Sequence, residues 1–461
     1  MSDQGLDLAR TRMAEAAVPA LAIDTFARLY RELERGESGM LAERDVAPLV
    51  DVEHADALET ADAGALARTV MIKLNGGLGT SMGMDRAKSL LPVRGEATFL
   101  DVIAEQVLAA RARHGVPLPL VLMNSFRTRD DSLAALARHR DLAVDGIPSD
   151  FLQNREPKLR ADDLTPVTWP ADPELEWCPP GHGDLYTALQ TSGLLERLLD
   201  AGYRYASVSN ADNLGAVPDA GIAAWFAASG AAFAAEVARR TPADRKGGHV
   251  VVRRSDSRLV LRETAQTRQQ DRAAASDITR HKYFNTNNLW LDLAALADLL
   301  AERDGVLPLP LISNAKTVDP ADPDSTPVIQ LETAMGAAIE VFDGARVLEV
   351  NRSRFLPVKT TDDLLLVRSD VYALDDDARL VARVAAPFVE LDSPYRLLAG
   401  FDARFPAGPP SLVDATSLRV RGDWTFGARV RVVGDAVLSA DDGAARRVPD
   451  GALVSERGAG R

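Results

Sequence analysis

Short apolar runs alternate with helical stretches along the chain from about residue 68 onward. RTVMIKL, LPLVLMNSF and YRYASVSN each predict a buried strand that ends in a polar turn. Between these runs, FLDVIAEQVLAARARHG and TALQTSGLLERLLDAG have the apolar spacing of helices. The alternation predicts an α/β fold with a mostly parallel sheet and helices on both of its faces.

The chain before residue 68 has a helical pattern. In IDTFARLYRELERG the apolar residues recur at helical spacing, Asp24 or Thr25 is available as a cap, and Gly36 would stop the helix. We expect the apolar face to pack against the main body, so residues 1–67 are predicted to form an N-terminal helical extension. That face comprises Ile23, Phe26, Leu29, Tyr30 and Leu33.

The pattern changes again after residue 331. LETAMGAAIEVF predicts a helix, ARVLEV a strand and DDLLLVRSDVY another helix. Beyond about residue 385, SLRVRGDWTFGARVRVVGDAVL alternates short β-branched pieces with closely spaced glycines, which predicts a small β domain with a few coils of a β-helix. The predicted divisions are therefore residues 1–67, a central domain of residues 68–384 and a C-terminal domain of residues 385–461.

Polar segments follow the three predicted strands, and in open sheets of this kind ligands bind beyond the carboxyl ends of the strands. The segments are NGGLGTSMG, NSFRT and NADN. Gly76, Gly77 and Gly79 leave backbone N–H groups without side chains in front of them, which suits close approach to a phosphate or a base edge.

Two common phosphate loops do not fit this glycine stretch. A Walker A loop has a glycine directly before its Lys-Ser pair, whereas Ala87 precedes Lys88 here. The dinucleotide fingerprint fits at Gly77 and Gly79, but Met82 occupies the position of the third glycine. A kinase and a dehydrogenase are both disfavoured.

Charge and composition narrow the class of protein. A formal net charge of −14 and a pI near 5.0 oppose binding of a polyanion, so nucleic acid is not expected as a partner. Cys178 is the only cysteine, which excludes an internal disulfide. With no basic n-region before an apolar core and no apolar run of the ~18 residues that a bilayer needs, we expect a cytoplasmic protein without membrane contact.

An ordered series of motifs resembles one family. KLNGGLGTSMG, KSLLPVR, PPGHGDLY, VSNADNLGA, FNTNNLW and RSRFLPVKTTDDLLLV occur in the order found in the UTP–glucose-1-phosphate uridylyltransferases, also called UDP-glucose pyrophosphorylases, of the eukaryotic type. The resemblance runs from about residue 20 to about residue 450. It implies a helical N-terminal segment, a central Rossmann-like nucleotidyltransferase domain and a C-terminal left-handed β-helix.

The resemblance also implies a reaction. Members of the family join UTP and glucose 1-phosphate to give UDP-glucose and pyrophosphate, reversibly and with Mg²⁺, by in-line attack of the sugar phosphate on the α-phosphorus. Both reactants are anions, so catalysis is expected to be positioning and charge stabilisation rather than covalent chemistry. We expect UTP, glucose 1-phosphate, UDP-glucose and pyrophosphate as ligands of a monomer or small homo-oligomer.

Three charged residues match the family's catalytic groups. The resemblance implies that Lys88 holds the UTP phosphates and that Lys359 stabilises the α-phosphate in the transition state. Asp212, just beyond a predicted strand, is the expected magnesium ligand, since Mg²⁺ in such sites needs one or two carboxylates besides phosphate and water. Lys88 and Lys359 are the predicted catalytic residues.

Further residues match the nucleotide and sugar pockets of the family. Gln153 carries both amide functions and could read two edges of uracil. His182, Asn210 and Asn287 are expected near glucose 1-phosphate, together with Gly76 and Gly77. The predicted nucleotide contacts are Leu74, Asn75, Gly76, Gly77, Lys88, Gln153, Gly181, Asp212 and Lys359.

Alternatives and one departure remain. The sugar could be galactose 1-phosphate or N-acetylglucosamine 1-phosphate, although N-acetylhexosamine enzymes usually carry an arginine where this chain has Gly79-Thr80-Ser81-Met82. The chain could also be a nucleotide-binding scaffold without turnover. Residues 84–87 depart from the family's usual stretch, which could change the rigidity of the loop before Lys88.

Overall fold

A computed structural model describes residues 2–37, 39–58, 63–241, 244, 247–440, 443–456 and 458–460. At its centre lies a mixed sheet of eight strands in the spatial order β1-β8-β6-β7-β5-β2-β3-β4. The strands are β1 (Glu53–His54), β2 (Thr69–Asn75), β3 (Leu120–Asn124), β4 (Asp150–Leu152), β5 (Tyr205–Asn210), β6 (Phe233–Arg239), β7 (Tyr283–Asp292) and β8 (Arg346–Glu349).

The sheet is largely parallel, as the sequence pattern predicts. Only β7 runs antiparallel to its neighbours β5 and β6, and the remaining neighbouring pairs are parallel. Residues of β2 and β3 are buried on both faces, which is the burial expected of central parallel strands covered by helices. The carboxyl ends of β2, β3, β4 and β5 consequently meet at one edge.

Helices cover the sheet, and some of them begin at local sequence signals. Thr98 and Asp101 form a capping box at the start of α3, and Gly115, with φ of +64°, follows its end. The helices are α1 (Ser2–Glu15), α2 (Ala20–Glu34), α3 (Phe99–His114), α4 (Arg129–Leu136), α5 (Leu185–Thr191), α6 (Leu194–Asp200), α7 (Ala220–Ser229), α8 (Arg272–Ala275), α9 (Leu293–Glu302), α10 (Thr361–Arg368) and α11 (Leu398–Arg404). Within the described ranges, none of them has both the length and the apolar composition that crossing a bilayer requires.

The predicted N-terminal helix exists as α2, with Phe26, Leu29 and Tyr30 buried. The predicted cap is wrong, because α2 begins at Ala20 after Pro19, one turn earlier than Asp24. Helix α2 packs on residues far along the chain. The Tyr30 hydroxyl donates to the Leu164 carbonyl, and the Arg28 guanidinium donates to the Leu309 carbonyl.

One predicted helix is wrong. Residues 331 and 332 end the strand Pro327–Glu332, and only Met335–Glu340 is helical, as a 3₁₀ helix. Tertiary contacts decide the conformation here, since Tyr186 donates to the Met335 carbonyl and a Cβ on Gly336 would approach Leu261 to 2.8 Å. The apolar spacing in this segment therefore reflects burial from several sides.

The C-terminal region forms parallel strands without helical crossovers between most of them. β9 (Phe388–Leu391), β10 (Ser411–Arg421), β11 (Arg431–Ser439) and β12 (Leu453–Ser455) pair in that order in parallel, and β13 (Gly458–Gly460) pairs antiparallel with β12. A second small parallel sheet joins Trp424–Phe426 to Arg446–Val448. The region shares one hydrophobic cluster with the central part of the chain.

Smaller sheets flank the central one. Antiparallel pairing joins Val46–Pro48, His249–Arg253 and Leu259–Arg262 in one of them, and Ile312–Thr317, Pro327–Glu332 and Leu159–Arg160 in another. Two-stranded pairs are Glu156–Pro157 with Trp177–Cys178, Pro92–Arg94 with Ala97–Thr98, and Tyr372–Leu374 with Leu380–Ala382.

Candidate active site

A cavity of about 270 Å³ opens at the carboxyl ends of β2 and β5. Ten of the twelve site residues predicted from the sequence line it, and the other two, Asn287 and Lys359, lie outside its lining. The lining consists of Leu74, Asn75, Gly76, Gly77, Lys88, Ser89, Gln153, Pro179, Gly181, His182, Asn210, Ala211 and Asp212.

The first half of the glycine loop presents backbone to the cavity. The side chain of Asn75 is buried and donates to Asn124 Oδ1 (2.7 Å) and Ser132 Oγ (2.8 Å), so it ties β2 to its neighbours. A Cβ on Gly76 would come within 2.5 Å of Gln153 Oε1, whereas one on Gly77 would meet nothing within 4 Å. Gln153 thus packs against the Gly76 backbone, and Gly77 faces open space.

The second half of the loop folds back on the first. The Lys88 backbone N–H donates to the Gly77 carbonyl (3.3 Å), and Met84 packs so close to Gly79 that a Cβ there would meet its sulfur at 2.6 Å. Met84 and Ala87 are buried, while Asp85 and Arg86 between them are exposed. Two residues of the stretch that departs from the family pattern, Met84 and Ala87, are therefore packed in the interior.

Lys88 and Asp212 form an ion pair at the mouth of the cavity. Lys88 Nζ lies 2.7 Å from Asp212 Oδ2, with side chains 17% and 20% exposed. Asp212 Oδ1 is buried and has no hydrogen-bond partner, so one carboxylate oxygen remains for a cation. In the described parts of the chain, no group of three or more His, Cys, Asp or Glu residues is placed to hold a metal ion.

The segment that carries Lys359 is tied to the turn that carries Asp212. The Val358 backbone N–H donates to the Asp212 carbonyl (3.2 Å), and the Leu356 N–H donates to Asn213 Oδ1 (2.8 Å). The exposed Lys359 follows directly, and its own N–H donates to Asp363 Oδ2 (2.8 Å) at the start of α10. The backbone at Lys359 is therefore one residue away from a contact with the Asp212 turn, although Lys359 does not line the cavity.

A buried ion pair between Arg354 and Glu236 lies at the start of the segment that carries Lys359. Arg354 donates to both carboxylate oxygens of Glu236, each at 2.8 Å, and Trp290 and Asn288 donate to the same carboxylate at 3.0 Å. Burial alone would raise the pKa of Glu236, but the Arg354 charge and these hydrogen bonds outweigh it and hold that pKa below its usual range. The carboxylate is ionised and fully coordinated.

His182 is held in a defined protonation state. Its Nδ1 accepts a hydrogen bond from the Met335 backbone N–H (3.0 Å), and burial lowers the pKa of the ring to about 4. The ring is therefore neutral near pH 7 and carries its proton on Nε2. His182 can thus offer one hydrogen-bond donor to a ligand in the cavity.

This protonation state gives a testable prediction. Between pH ~6.5, the ordinary value for histidine, and pH 4, the unfolded chain binds a proton at residue 182 that the folded chain does not. Folding stability should consequently fall as pH drops through this window, with a slope ~1.4 kcal/mol per pH unit smaller in His182→Gln than in the original protein. Urea unfolding at several pH values measures the difference, and an unchanged slope would contradict it.

Gly181 and Gly77 provide a matched pair of glycines. Gly181 has φ of +78°, and a Cβ there would lie 2.7 Å from the Thr333 carbonyl, so Gly181→Ala should lower the free energy of unfolding by ~1–3 kcal/mol. Gly77→Ala meets open space and should change it by less than ~0.5 kcal/mol. Equal losses in urea unfolding would show that the close approach at Gly181 is not what matters.

The backbone of Asn287 departs from regular strand geometry. It has φ of +58° and sits at a bulge in β7, where its Oδ1 accepts from Asn285 Nδ2 (2.8 Å). Sequence reasoning did not single out Glu263, whose pKa is raised by burial despite the opposing charge of Lys359. Its carboxylate packs on Gly248, where a Cβ would come within 2.5 Å. In the sequence, the one signal for this contact is the Gly247-Gly248 pair, which leaves room for the Glu263 carboxylate.

The fold and the cavity define a class of protein: an α/β protein whose candidate ligand site lies at the carboxyl edge of a largely parallel sheet, where a glycine loop and the Lys88–Asp212 ion pair line one cavity. The family model of UTP–glucose-1-phosphate uridylyltransferase matches residues 23–432. The chain belongs to this family.

Individual relatives agree with the family match. The chain is 40% identical over 398 residues to the UTP–glucose-1-phosphate uridylyltransferase of Solanum tuberosum, which covers 85% of this chain and 81% of the relative. The crystal structure of a UDP-glucose phosphorylase from Trypanosoma brucei matches with a TM-score of 0.91 at 40% identity, over 98% of this chain and 99% of the other. A mutant UDP-glucose pyrophosphorylase from Leishmania major, in complex with UDP-glucose, matches with a TM-score of 0.92 at 40% identity, over 98% of each chain.

Proposed function

We propose that this chain transfers the uridylyl group of UTP to glucose 1-phosphate, giving UDP-glucose and pyrophosphate in a reversible reaction. The observation that carries the proposal is the convergence of the glycine loop, Lys88, Asp212 and His182 on one cavity, in a chain that belongs to the uridylyltransferase family. The relatives' names give the nucleotide and the sugar phosphate.

The reaction makes one bond and breaks one. A phosphate oxygen of glucose 1-phosphate attacks the α-phosphorus of UTP, and the bond from that phosphorus to the bridging oxygen breaks, so pyrophosphate leaves with the electron pair. Negative charge gathers where two anions meet, and fixed cations in a partly dry site are the most effective means of stabilising it. No nucleophilic side chain is required.

Two lysines supply those cations. Lys88, half-buried beside the glycine loop, would exchange its contact with Asp212 for the phosphates of UTP. Lys359 would reach the α-phosphate from the segment that is tied to the Asp212 turn. Both are catalytic residues in this proposal.

Asp212 would hold Mg²⁺ through the carboxylate oxygen that is buried without a partner. When bound, the ion would neutralise part of the charge on the phosphates. Asp212 has a second role in the chain, because its backbone carbonyl anchors the Lys359 segment at Val358.

The nucleotide and sugar have separate recognition groups. Gln153, packed on Gly76, would read uracil together with the backbone of Leu74, Asn75, Gly77 and Gly181. His182 would donate from Nε2 to glucose 1-phosphate, with Asn210, Asn287, Gly76 and Gly77 around it. We add Glu263, beside Lys359, as a candidate acceptor for sugar hydroxyls.

The organisation of the protein is part of the proposal. The parallel strands β9 to β12 would wind as a left-handed β-helix, which fits their pairing of each strand with the next at short sequence separation. We retain the divisions 1–67, 68–384 and 385–461, a cytoplasmic location and a monomer or small homo-oligomer.

The test is pyrophosphate release from UTP and Mg²⁺ with a panel of sugar 1-phosphates. Glucose 1-phosphate should give the highest kcat/KM, and the matched variant Asp212→Asn, which keeps the shape but loses the charge, should give little release. No release with any sugar would favour a non-catalytic nucleotide-binding scaffold. Release with galactose 1-phosphate or N-acetylglucosamine 1-phosphate alone would overturn the choice of glucose.

A further inference from the structure

A second cavity, of about 730 Å³, lies between the C-terminal strands and the end of α10, away from the candidate active site. Five arginines and one acid, Asp370, line it, in a protein whose formal net charge is −14. We call it the arginine cavity. Its arginines are Arg94, Arg368, Arg383, Arg429 and Arg431.

Three of these arginines have structural partners. Arg94 donates to the carbonyls of Arg368 (3.3 Å), Ser369 (2.8 Å) and Tyr372 (2.6 Å), which caps the carboxyl end of α10. Arg368 donates to Asp402, and Arg431 to Asp414. Even so, Arg94 Nε is buried without a hydrogen-bond partner.

The other two arginines are exposed and form no ion pair with any described residue within 4 Å. Arg383 lies close enough to Arg94 that its charge adds to burial in lowering the pKa of Arg94. Arg429 has a backbone φ of +54°. Its charge helps to lower the pKa of Asp450, but the ion pair of Asp450 is with Arg447, at 3.1 Å. The Asp370 carboxylate accepts hydrogen bonds from the Ser411 hydroxyl (2.6 Å) and the Leu412 N–H (2.8 Å).

The cavity therefore gathers guanidinium groups whose charge is only partly neutralised by the described acids around it. Guanidinium binds phosphate through two parallel N–H bonds, and like charges held together are relieved by an anion between them. We propose that the arginine cavity binds a phosphorylated metabolite carrying two or more negative charges, and that its occupation changes the turnover of the protein.

The position of the cavity explains how occupation would reach the active site. Arg94 follows Lys88 by one short segment, and α10 runs from the cavity to Lys359, where Thr360 and Asp363 cap its start. An anion in the cavity would bridge three elements: the two-stranded pair that contains Arg94 (Pro92–Arg94 with Ala97–Thr98), the carboxyl end of α10 and the C-terminal strands. The part of the proposal that concerns turnover rests on the proposed function, whereas the binding part does not.

Binding is tested first, by isothermal titration calorimetry with 2,3-bisphosphoglycerate in the absence of Mg²⁺ and nucleotide. Arg383→Gln combined with Arg429→Asn should weaken binding at least ~tenfold, because each removes a charged donor; asparagine tolerates the left-handed backbone at residue 429. Arg421→Gln, an exposed arginine of β10 outside the cavity, should leave affinity within ~twofold, as should Lys88→Ala.

The outcomes separate the two sites. No binding, or binding that Lys88→Ala abolishes and the double variant keeps, would overturn the proposal. For turnover, saturating probe should change kcat at least ~twofold in the original protein and not in the double variant, whose activity without probe is unchanged. A protein that binds the probe in the cavity but releases no pyrophosphate under any condition would refute the proposed function and leave the binding site standing.

Discussion

Lys359→Ala should lower kcat by ~10²–10³ while the protein stays folded, because in the proposed reaction the change removes one preorganised cation from the place where negative charge gathers. The segment around the lysine does not depend on its side chain. Val358 bonds to the Asp212 carbonyl and Asp363 caps α10 through backbone N–H groups, and both contacts remain in the variant. Steady-state pyrophosphate release, with circular dichroism as a check on folding, measures the effect.

Lys316→Ala is the matched control for this experiment. Lys316 is half-exposed on a small flanking sheet and donates to Gln330 Oε1 (2.8 Å), far from the reacting phosphates in the proposed scheme. Its loss should leave kcat within ~twofold. Near-original turnover by Lys359→Ala would refute the assignment of Lys359, and an equal loss in Lys316→Ala would point to general damage rather than chemistry.

Arg354→Met should lower the free energy of unfolding by ~3–5 kcal/mol, because it leaves the buried carboxylate of Glu236 without its counter-charge. Trp290 and Asn288 would still donate to that carboxylate, but neutral donors do not replace a bidentate guanidinium. Urea unfolding with an unchanged m-value measures the loss.

Two further variants show whether the uncompensated charge is the cause. Adding Glu236→Gln to Arg354→Met removes the charge on the other side and should recover at least ~1 kcal/mol. Arg160→Met, which breaks an exposed pair with Asp162, should change stability little. If the double variant is less stable than Arg354→Met alone, lost packing rather than buried charge governs this site.

The sequence predicts the central sheet well because its signals are local. The runs that become β2 and β3 are largely apolar stretches followed by polar turns, and burial on both faces requires that pattern. The run that becomes β5 mixes buried and partly buried residues and also ends in a polar turn. The same rule explains why ten predicted site residues meet in one cavity, since the turns after parallel strands gather at one edge. Their individual roles in binding and catalysis remain predictions.

Features set by distant contacts could not be read from the sequence in this way. The packing of α2 is against residues more than 100 positions away, and residues 331–342 follow tertiary contacts instead of their helical spacing. Nothing local shows that Asn75 turns its side chain into the sheet, or that the arginines at 94, 383 and 429 share a cavity. Each of these depends on which elements become neighbours in three dimensions.

The edge strand β1 has a consequence for how the protein is made. Glu53 and His54 pair with Leu348 and Glu349, about 300 residues later, and α2 packs on Leu311 and Leu331. At ~5–20 residues per second, a ribosome needs ~15–60 s to reach those partners after it has made β1. During that interval β1 has no strand partner and α2 lacks its contacts with Leu311 and Leu331, so both elements complete their packing only after these later residues have been made.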